Sequence, residues 1–131
     1  MNLYSKILEN NTEKKEYNYQ DEIPYKTRCI DSENIVRKHP NCVPVIINTK
    51  ENIDMKRKKF LVSYNINSTI LIYHIRKHIS NAPCNSIFLF HENTIIDNLK
   101  NIGDMYLDYI LTNKSDDKYF YLNLCFENTF G

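Results

Sequence analysis

The sequence predicts an α+β domain in which a four-stranded mixed sheet carries helices, with two additional helices at its N-terminal end. Three observations predict it. Four short runs rich in β-branched or aromatic residues, the last of them Tyr119-Phe120-Tyr121-Leu122-Asn123-Leu124, read as strands. Between them Leu71, Ile72, Ile75 and Ile79 recur at three- and four-residue spacing, the strongest helical periodicity in the chain. The 131 residues are 42% hydrophobic and include 10 Tyr and 6 Phe, enough apolar surface for one domain with a real core.

Residues 1–23 read as a polar extension, partly helical or disordered, that adds little core. Within it Leu3, Tyr4, Ile7 and Leu8 have the spacing of a short amphipathic helix. Pro24 punctuates the chain, and the domain is expected over 24–131, ending in a flexible C-terminal tail. Over 26–38, Ile30, Ile35 and Val36 sit among charges at helical spacing, with Asp31 and Glu33 ahead of Arg37-Lys38, an order that suits the helix dipole. Val43, Val45, Ile46 and Ile47 form a β-branched run with Pro44 near its start, a proline that an edge strand tolerates. Phe60-Leu61-Val62-Ser63-Tyr64 is the next strand, and the polar loop between the two suggests a hairpin. Asn67 or Ser68 caps a helix over 69–79, which Asn81-Ala82-Pro83 breaks. Ile87-Phe88-Leu89-Phe90 is a short buried strand, and Ile102, Met105, Tyr106 and Tyr109 suit a further helix despite Gly103. From residue 42 onward the order is strand, strand, helix, strand, short helix, strand. That is the order of the ubiquitin-like β-grasp.

Charge is segregated although the net is only +1. Residues 1–25 carry three basic and five acidic groups, residues 26–80 eleven and four, and residues 81–131 three and seven. A basic middle containing Lys56-Arg57-Lys58-Lys59 suits an acidic peptide, an anionic membrane or nucleic acid. The clustered aromatics favour core over a base-stacking platform, and no RNA-binding motif accompanies them, so nucleic acid is not expected. Only two glycines occur, which excludes Gly-rich phosphate loops and dinucleotide sites. Cys29, Cys42, Cys84 and Cys125 contain no Cys-x-x-Cys pair and read as unbridged thiols in a reducing compartment. His74 and His78 stand four apart on a helix, yet Arg76 and Lys77 crowd them and no third ligand is evident, so no metal or other cofactor is expected. Cys125 ends an apolar strand with no activating group evident, which argues against a Cys-His hydrolase. With no apolar leader at the N-terminus and no window near the ~20 residues of a membrane span, a soluble, cytoplasmic protein is expected.

Five motifs in order then resemble one family. They are Pro24-Tyr25-Lys26-Thr27-Arg28; Ile35-Val36-Arg37-Lys38-His39-Pro40-Asn41-Cys42-Val43-Pro44-Val45-Ile46; Lys56-Arg57-Lys58-Lys59-Phe60-Leu61-Val62; Ile75-Arg76-Lys77-His78-Ile79; and Glu127-Asn128-Thr129-Phe130-Gly131. Together they resemble the autophagy-related ubiquitin-like modifiers, the group of the GABA receptor-associated protein and the microtubule-associated protein light chain three. The chain departs from that pattern at Ser63, where the family has Pro, at His78, where it has Arg, and over 92–98.

The resemblance implies a modifier, not an enzyme, whose reactive group is the carboxylate of Gly131. That group would be adenylated, carried as thioesters by activating and conjugating enzymes, and joined to phosphatidylethanolamine; a cysteine protease would reverse the step. A residue with no side chain suits narrow enzyme channels. Two acyl chains would anchor the protein peripherally on autophagosomal or related membranes. The resemblance also implies capture of adaptors and receptors through acidic motifs of an aromatic, two spacers and an aliphatic residue. Matching positions are Asp31, Ile35, Pro44, Lys59, Leu61 and Tyr119 for the aromatic pocket, and Phe60, Val62 and Ile66 for the aliphatic one, with Arg57, Lys58 and Lys59 meeting the acidic flank. Residues alternate along a strand, so Phe60 and Val62 face either the core or the ligand, with Lys59 and Leu61 opposite. Two other readings remain: an unconjugated adaptor that only binds peptides, and a lipidated modifier of a non-autophagic organelle.

Overall fold

The computed structural model describes residues 17–49, 53–80, 86–113 and 116–126. The expected helix near Leu3 to Leu8, the break at Asn81-Ala82-Pro83 and the tail with Gly131 lie outside them. In chain order the elements are α1 (Tyr19–Glu22), α2 (Tyr25–Lys38), β1 (Cys42–Thr49), β2 (Lys59–Ser63), α3 (Ser68–Arg76), β3 (Ile87–His91), β4 (Thr94–Ile95), α4 (Ile102–Thr112) and β5 (Phe120–Phe126). The architecture is the expected α+β one, with one strand more than the four predicted.

The sheet runs β2-β1-β5-β3-β4, with β1 and β5 parallel at its centre and the other pairs antiparallel. Strand β1 is therefore interior, not the edge strand its proline suggested. Pro44 is tolerated for a geometric reason. The Ile47 N–H faces β2, donating to Lys58 O at 2.9 Å, so Pro44, of opposite parity, faces β5, whose pairing with β1 begins only at Val45. Strand β4 escaped the sequence reading because it is two residues long and its turn carries no glycine. Glu92 instead takes the left-handed conformation, with φ 56°.

Alternation sends the two sides of the sheet into different clusters. Val43, Val45 and Ile47 of β1 and Phe120, Leu122 and Leu124 of β5 join Leu71, Ile75, Ile102 and Tyr106 from α3 and α4 in the main core. On the opposite face Ile46 and Tyr119 pack with Tyr19, and Ile23 and Ile35 close around them. Residues 17–23 were expected to contribute little core. Yet Tyr19 is 4% exposed, and Tyr17 exchanges backbone hydrogen bonds with Thr49 at 2.7 and 2.9 Å.

Helix α3 starts where capping chemistry predicts, with the Asn67 side chain accepting from Ile70 N at 3.1 Å. It ends at Arg76, short of the expected residue 79, because residues 78–80 turn to pair with residues 54–56.

Candidate functional site: the edge of strand β2

Among the described residues, strand β2 has β1 on one side and no strand on the other, which leaves its outer backbone edge unpaired by them. Its burial alternates: Lys59, Leu61 and Ser63 are exposed, Phe60 and Val62 buried. The register settles the ambiguity left by the sequence. Leu61 pairs with Pro44 and Lys59 with Ile46, on the α2 face, while Phe60 and Val62 pair with Val45 and Val43 on the core face.

A cavity lies on each side of this edge. The first, about 190 Å³, sits on the α2 face and is lined chiefly by Ile35, Pro44, Lys59, Leu61 and Tyr119, with His39 at its rim. The second, about 450 Å³, lies toward α3 and is lined by Phe60, Leu61, Val62, Ile66, His74 and His78. Thus five of the six positions proposed for an aromatic pocket meet in the first cavity, and all three proposed for an aliphatic pocket meet in the second. Asp31 is the exception. It lies one helical turn before Ile35, outside the lining. His39, His74 and His78 were not predicted as site residues. The i, i+4 step from Ile35 to His39, and the position of His74 and His78 on the helix after β2, were the available signals.

The cations sit on aromatic faces rather than on carboxylates. Lys59 Nζ lies 4.7 Å from the Tyr19 ring centroid and 5.7 Å from that of Tyr119, and Lys58 Nζ lies 3.9 Å from that of Tyr17. The Arg57 guanidinium covers Phe60 at 5.6 Å, and its Nε donates to Lys59 O at 3.1 Å. Among the described residues, no carboxylate comes within ion-pair distance of these three side chains.

A buried network holds the first cavity in shape. Arg28 Nη1 donates to Asp117 Oδ2 at 2.7 Å, the Tyr121 hydroxyl donates to the same oxygen at 2.6 Å, and Tyr119 N donates to Asp117 Oδ1 at 2.9 Å. Lys118 N donates to Ser32 Oγ at 2.8 Å. These bonds fasten α2 to the start of β5, and so set Ile35 across from Tyr119. Burial pushes the Tyr119 and Tyr121 phenols well above their ordinary range. Both phenols stay neutral at physiological pH, and the Tyr121 hydroxyl keeps its bond to Asp117.

Comparison with known proteins follows the same lines. A family model described as "Autophagy protein Atg8 ubiquitin like" matches residues 27–131. Autophagy-related protein 8 of Coccidioides immitis is 30% identical over 116 residues, covering 86% of this chain and 96% of that protein. Autophagy-related protein 8c of Arabidopsis thaliana is 32% identical over 113 residues, covering 84% and 92%. Among solved structures, Trypanosoma brucei ATG8 shares the fold at TM-score 0.71 and 22% identity, covering 85% of this chain and 95% of its own. Plasmodium falciparum Atg8, in complex with a P. falciparum Atg3 peptide, superposes at TM-score 0.70 with 26% identity, covering 83% and 95%.

Proposed function

The chain belongs to the Atg8 family of ubiquitin-like autophagy proteins, and from that premise we propose that it is a modifier joined through Gly131 to phosphatidylethanolamine, recruiting partners at the β2 edge through short acidic aromatic-x-x-aliphatic motifs. The observation that carries the recruiting half is the pair of cavities straddling an open strand edge. A peptide added to that edge satisfies its backbone groups, and its side chains alternate between faces. Two side chains three residues apart point to opposite faces, roughly 10 Å apart along the strand. One enters the cavity beside Ile35 and Tyr119, the other the cavity beside Ile66, and Arg57, Lys58 and Lys59 meet acidic flanks. The Atg3 peptide bound by the Plasmodium relative supports peptide docking on this fold.

For conjugation, the chain supplies a substrate and no catalytic group. The Gly131 carboxylate attacks ATP to form an adenylate and release pyrophosphate, a cysteine thiolate of the activating enzyme displaces AMP, and a conjugating enzyme's cysteine takes over the acyl group and frees the first thiol. The amine of phosphatidylethanolamine then attacks the thioester, forming an amide and releasing the thiol. A cysteine protease later hydrolyses that amide. No helix among the described residues is long and apolar enough to cross a membrane; in this reading the two acyl chains of the lipid supply the attachment.

Incubation with the cognate conjugation enzymes, ATP and liposomes containing phosphatidylethanolamine tests this half. Mass measurement of the C-terminal peptide is expected to show the lipid on Gly131, and Gly131→Ala is expected to abolish the lipidated form without changing peptide affinity. Persistence of a lipidated species in that variant would sink the assignment. A peptide-binding protein that no conjugation enzyme modifies would leave only an unconjugated adaptor.

A further inference from the structure

We infer that the cavity between the β3–β4 hairpin and α4 is a second docking site, which takes an arginine side chain from an amphipathic basic segment of a partner protein. Strand β4 stands at the far end of the sheet from β2, so this site and the β2 edge can be filled at once.

The cavity measures about 460 Å³, ample for one long side chain. Ile96, Met105, Tyr109 and Phe120 give it an apolar lining, and among the described residues three carboxylates, Glu92, Asp97 and Asp108, line it beside one ammonium, Lys100. The His91 ring lies 4.9 Å from the ring centroids of both Tyr109 and Phe120, and its Nδ1 donates to Tyr121 O at 3.3 Å. In the neutral ring that leaves Nε2 as an acceptor. The negative field reaches the aromatic lining: the Tyr109 phenol is pushed up to about 12, by burial first and then by the charges of Asp116, Asp117 and Glu92. Glu92 itself holds φ 56°, a conformation that Asn or Gly would adopt at less cost, and the turn built this way keeps a carboxylate in the lining.

An arginine fits this combination. Its methylenes lie along apolar surface, while its guanidinium stacks on an aromatic face and forks to carboxylates. A lysine brings a point charge and no plane to stack. The surface around the cavity suits a protein partner rather than a free amine. Ile95, which lines the cavity, is exposed; Leu99, between the lining residues Asp97 and Lys100, is 92% exposed; and Leu111, beside Thr112 and three residues after Asp108, is exposed as well. Exposed apolar side chains around a carboxylate-lined cavity make an interaction face, and its charge selects a basic partner over an anionic membrane or nucleic acid. The wider charge pattern agrees. Residues 81–131, which supply the whole lining, carry seven acidic and three basic groups, the inverse of the bias in the segment that contains β2.

The test titrates the full chain, followed by amide NMR, with acetyl-Leu-Arg-Leu-amide and with the same peptide carrying citrulline, the uncharged isostere of arginine. The arginine peptide is expected to shift the amides of His91–Ile96 and Met105–Thr112 saturably, to leave those of Lys59–Ser63 in place, and to bind about fivefold more tightly than the citrulline peptide. Glu92→Asn with Asp108→Asn is expected to erase that preference while the midpoint of thermal unfolding holds, since Asn suits the left-handed turn. Equal binding of the two peptides, or a preference that survives the double substitution, would overturn the inference. Shifts centred on Lys59–Ser63 would overturn it by placing the basic peptide elsewhere. Benzylammonium chloride binding as tightly as the arginine peptide would give the cavity to small amines, and hairpin resonances of the free protein that move on dilution would give the face to a second copy; either result overturns it and leaves the β2 peptide site untouched.

Discussion

Arg28 and Asp117, 89 positions apart in the chain, meet at 2.7 Å with side chains 14% and 1% exposed. The pair ties a helix that precedes the sheet to the residue that leads into its central strand. Removing one partner of a buried pair strands the other charge, at a cost of about 3–5 kcal/mol, whereas replacing both by apolar groups is often near neutral. Arg28→Ala is therefore expected to lose about 3 kcal/mol in urea unfolding, since Tyr121 and Tyr119 still bond the orphaned carboxylate. Arg28→Met with Asp117→Leu should recover only part of that loss, because Tyr119 N and the Tyr121 hydroxyl then lose their acceptor. A single-variant loss below about 1 kcal/mol would show that the network is not what fastens α2.

Gly103 gives a prediction opposite in sign to helix propensity. Inside a helix Ala is favoured over Gly by about 1 kcal/mol. A Cβ on Gly103, however, would fall 2.6 Å from Tyr64 Cβ and 2.8 Å from its Cα, while Gly103 N already donates to Tyr64 O at 3.0 Å. The helix would have to move off the turn that follows β2, at a typical overpacking cost of about 1–3 kcal/mol. Gly103→Ala is expected to lower the midpoint of thermal unfolding; an increase would mean that the α4 start can shift freely.

Four tyrosines make the fold sensitive to alkali. Burial pushes the phenol of Tyr109 up to about 12, and those of Tyr106, Tyr119 and Tyr121 higher still. In the unfolded chain they ionise near pH ~10. A group whose folded pKa is raised contributes fully below the unfolded value, and its contribution is lost as pH climbs through the folded one. Stability is thus expected to hold up to about pH 10 and to fall between about pH 10 and 12. Phenolate absorbance should appear together with loss of helical circular dichroism. Smooth phenolate formation in a protein that stays folded would contradict the burial of these rings.

How much of this was legible in the sequence depends on how far each feature is local. Helix α3 was legible because Leu71 and Ile75 mark one face and Asn67 supplies the cap. Strands β1 and β2 were legible from β-branched and aromatic density. What faces where was not: a strand read alone alternates without a sign, and only the pairing of Leu61 with Pro44 turned Leu61 outward and Phe60 inward. The contribution of Tyr17 and Tyr19 was hidden among Asn18, Gln20 and Asp21, because their partners Ile46, Thr49 and Tyr119 lie far along the chain. Asp31 was carried over by resemblance, but it is not among the residues that line the cavity that Ile35 reaches.

Lys59 and Leu61 separate the two contributions expected at the β2 edge. Leu61 is 42% exposed and lines both cavities, so Leu61→Ala removes apolar contact on either side of a bound strand. That loss, about 1 kcal/mol or five- to tenfold in affinity, should be nearly the same at every salt concentration. Lys59→Glu reverses a charge that no carboxylate offsets among the described residues, and lifts the ammonium from the Tyr19 and Tyr119 rings. Its effect on an acidic aromatic-x-x-aliphatic peptide should be large at low salt and should shrink as the Debye length falls from about 30 Å at 0.01 M to about 8 Å at 0.15 M. Calorimetric titration of both variants at those two ionic strengths checks this. Equal salt dependence for the two substitutions would mean that Lys59 does not meet the ligand's charge, and unchanged affinity for both would place the peptide elsewhere on the protein.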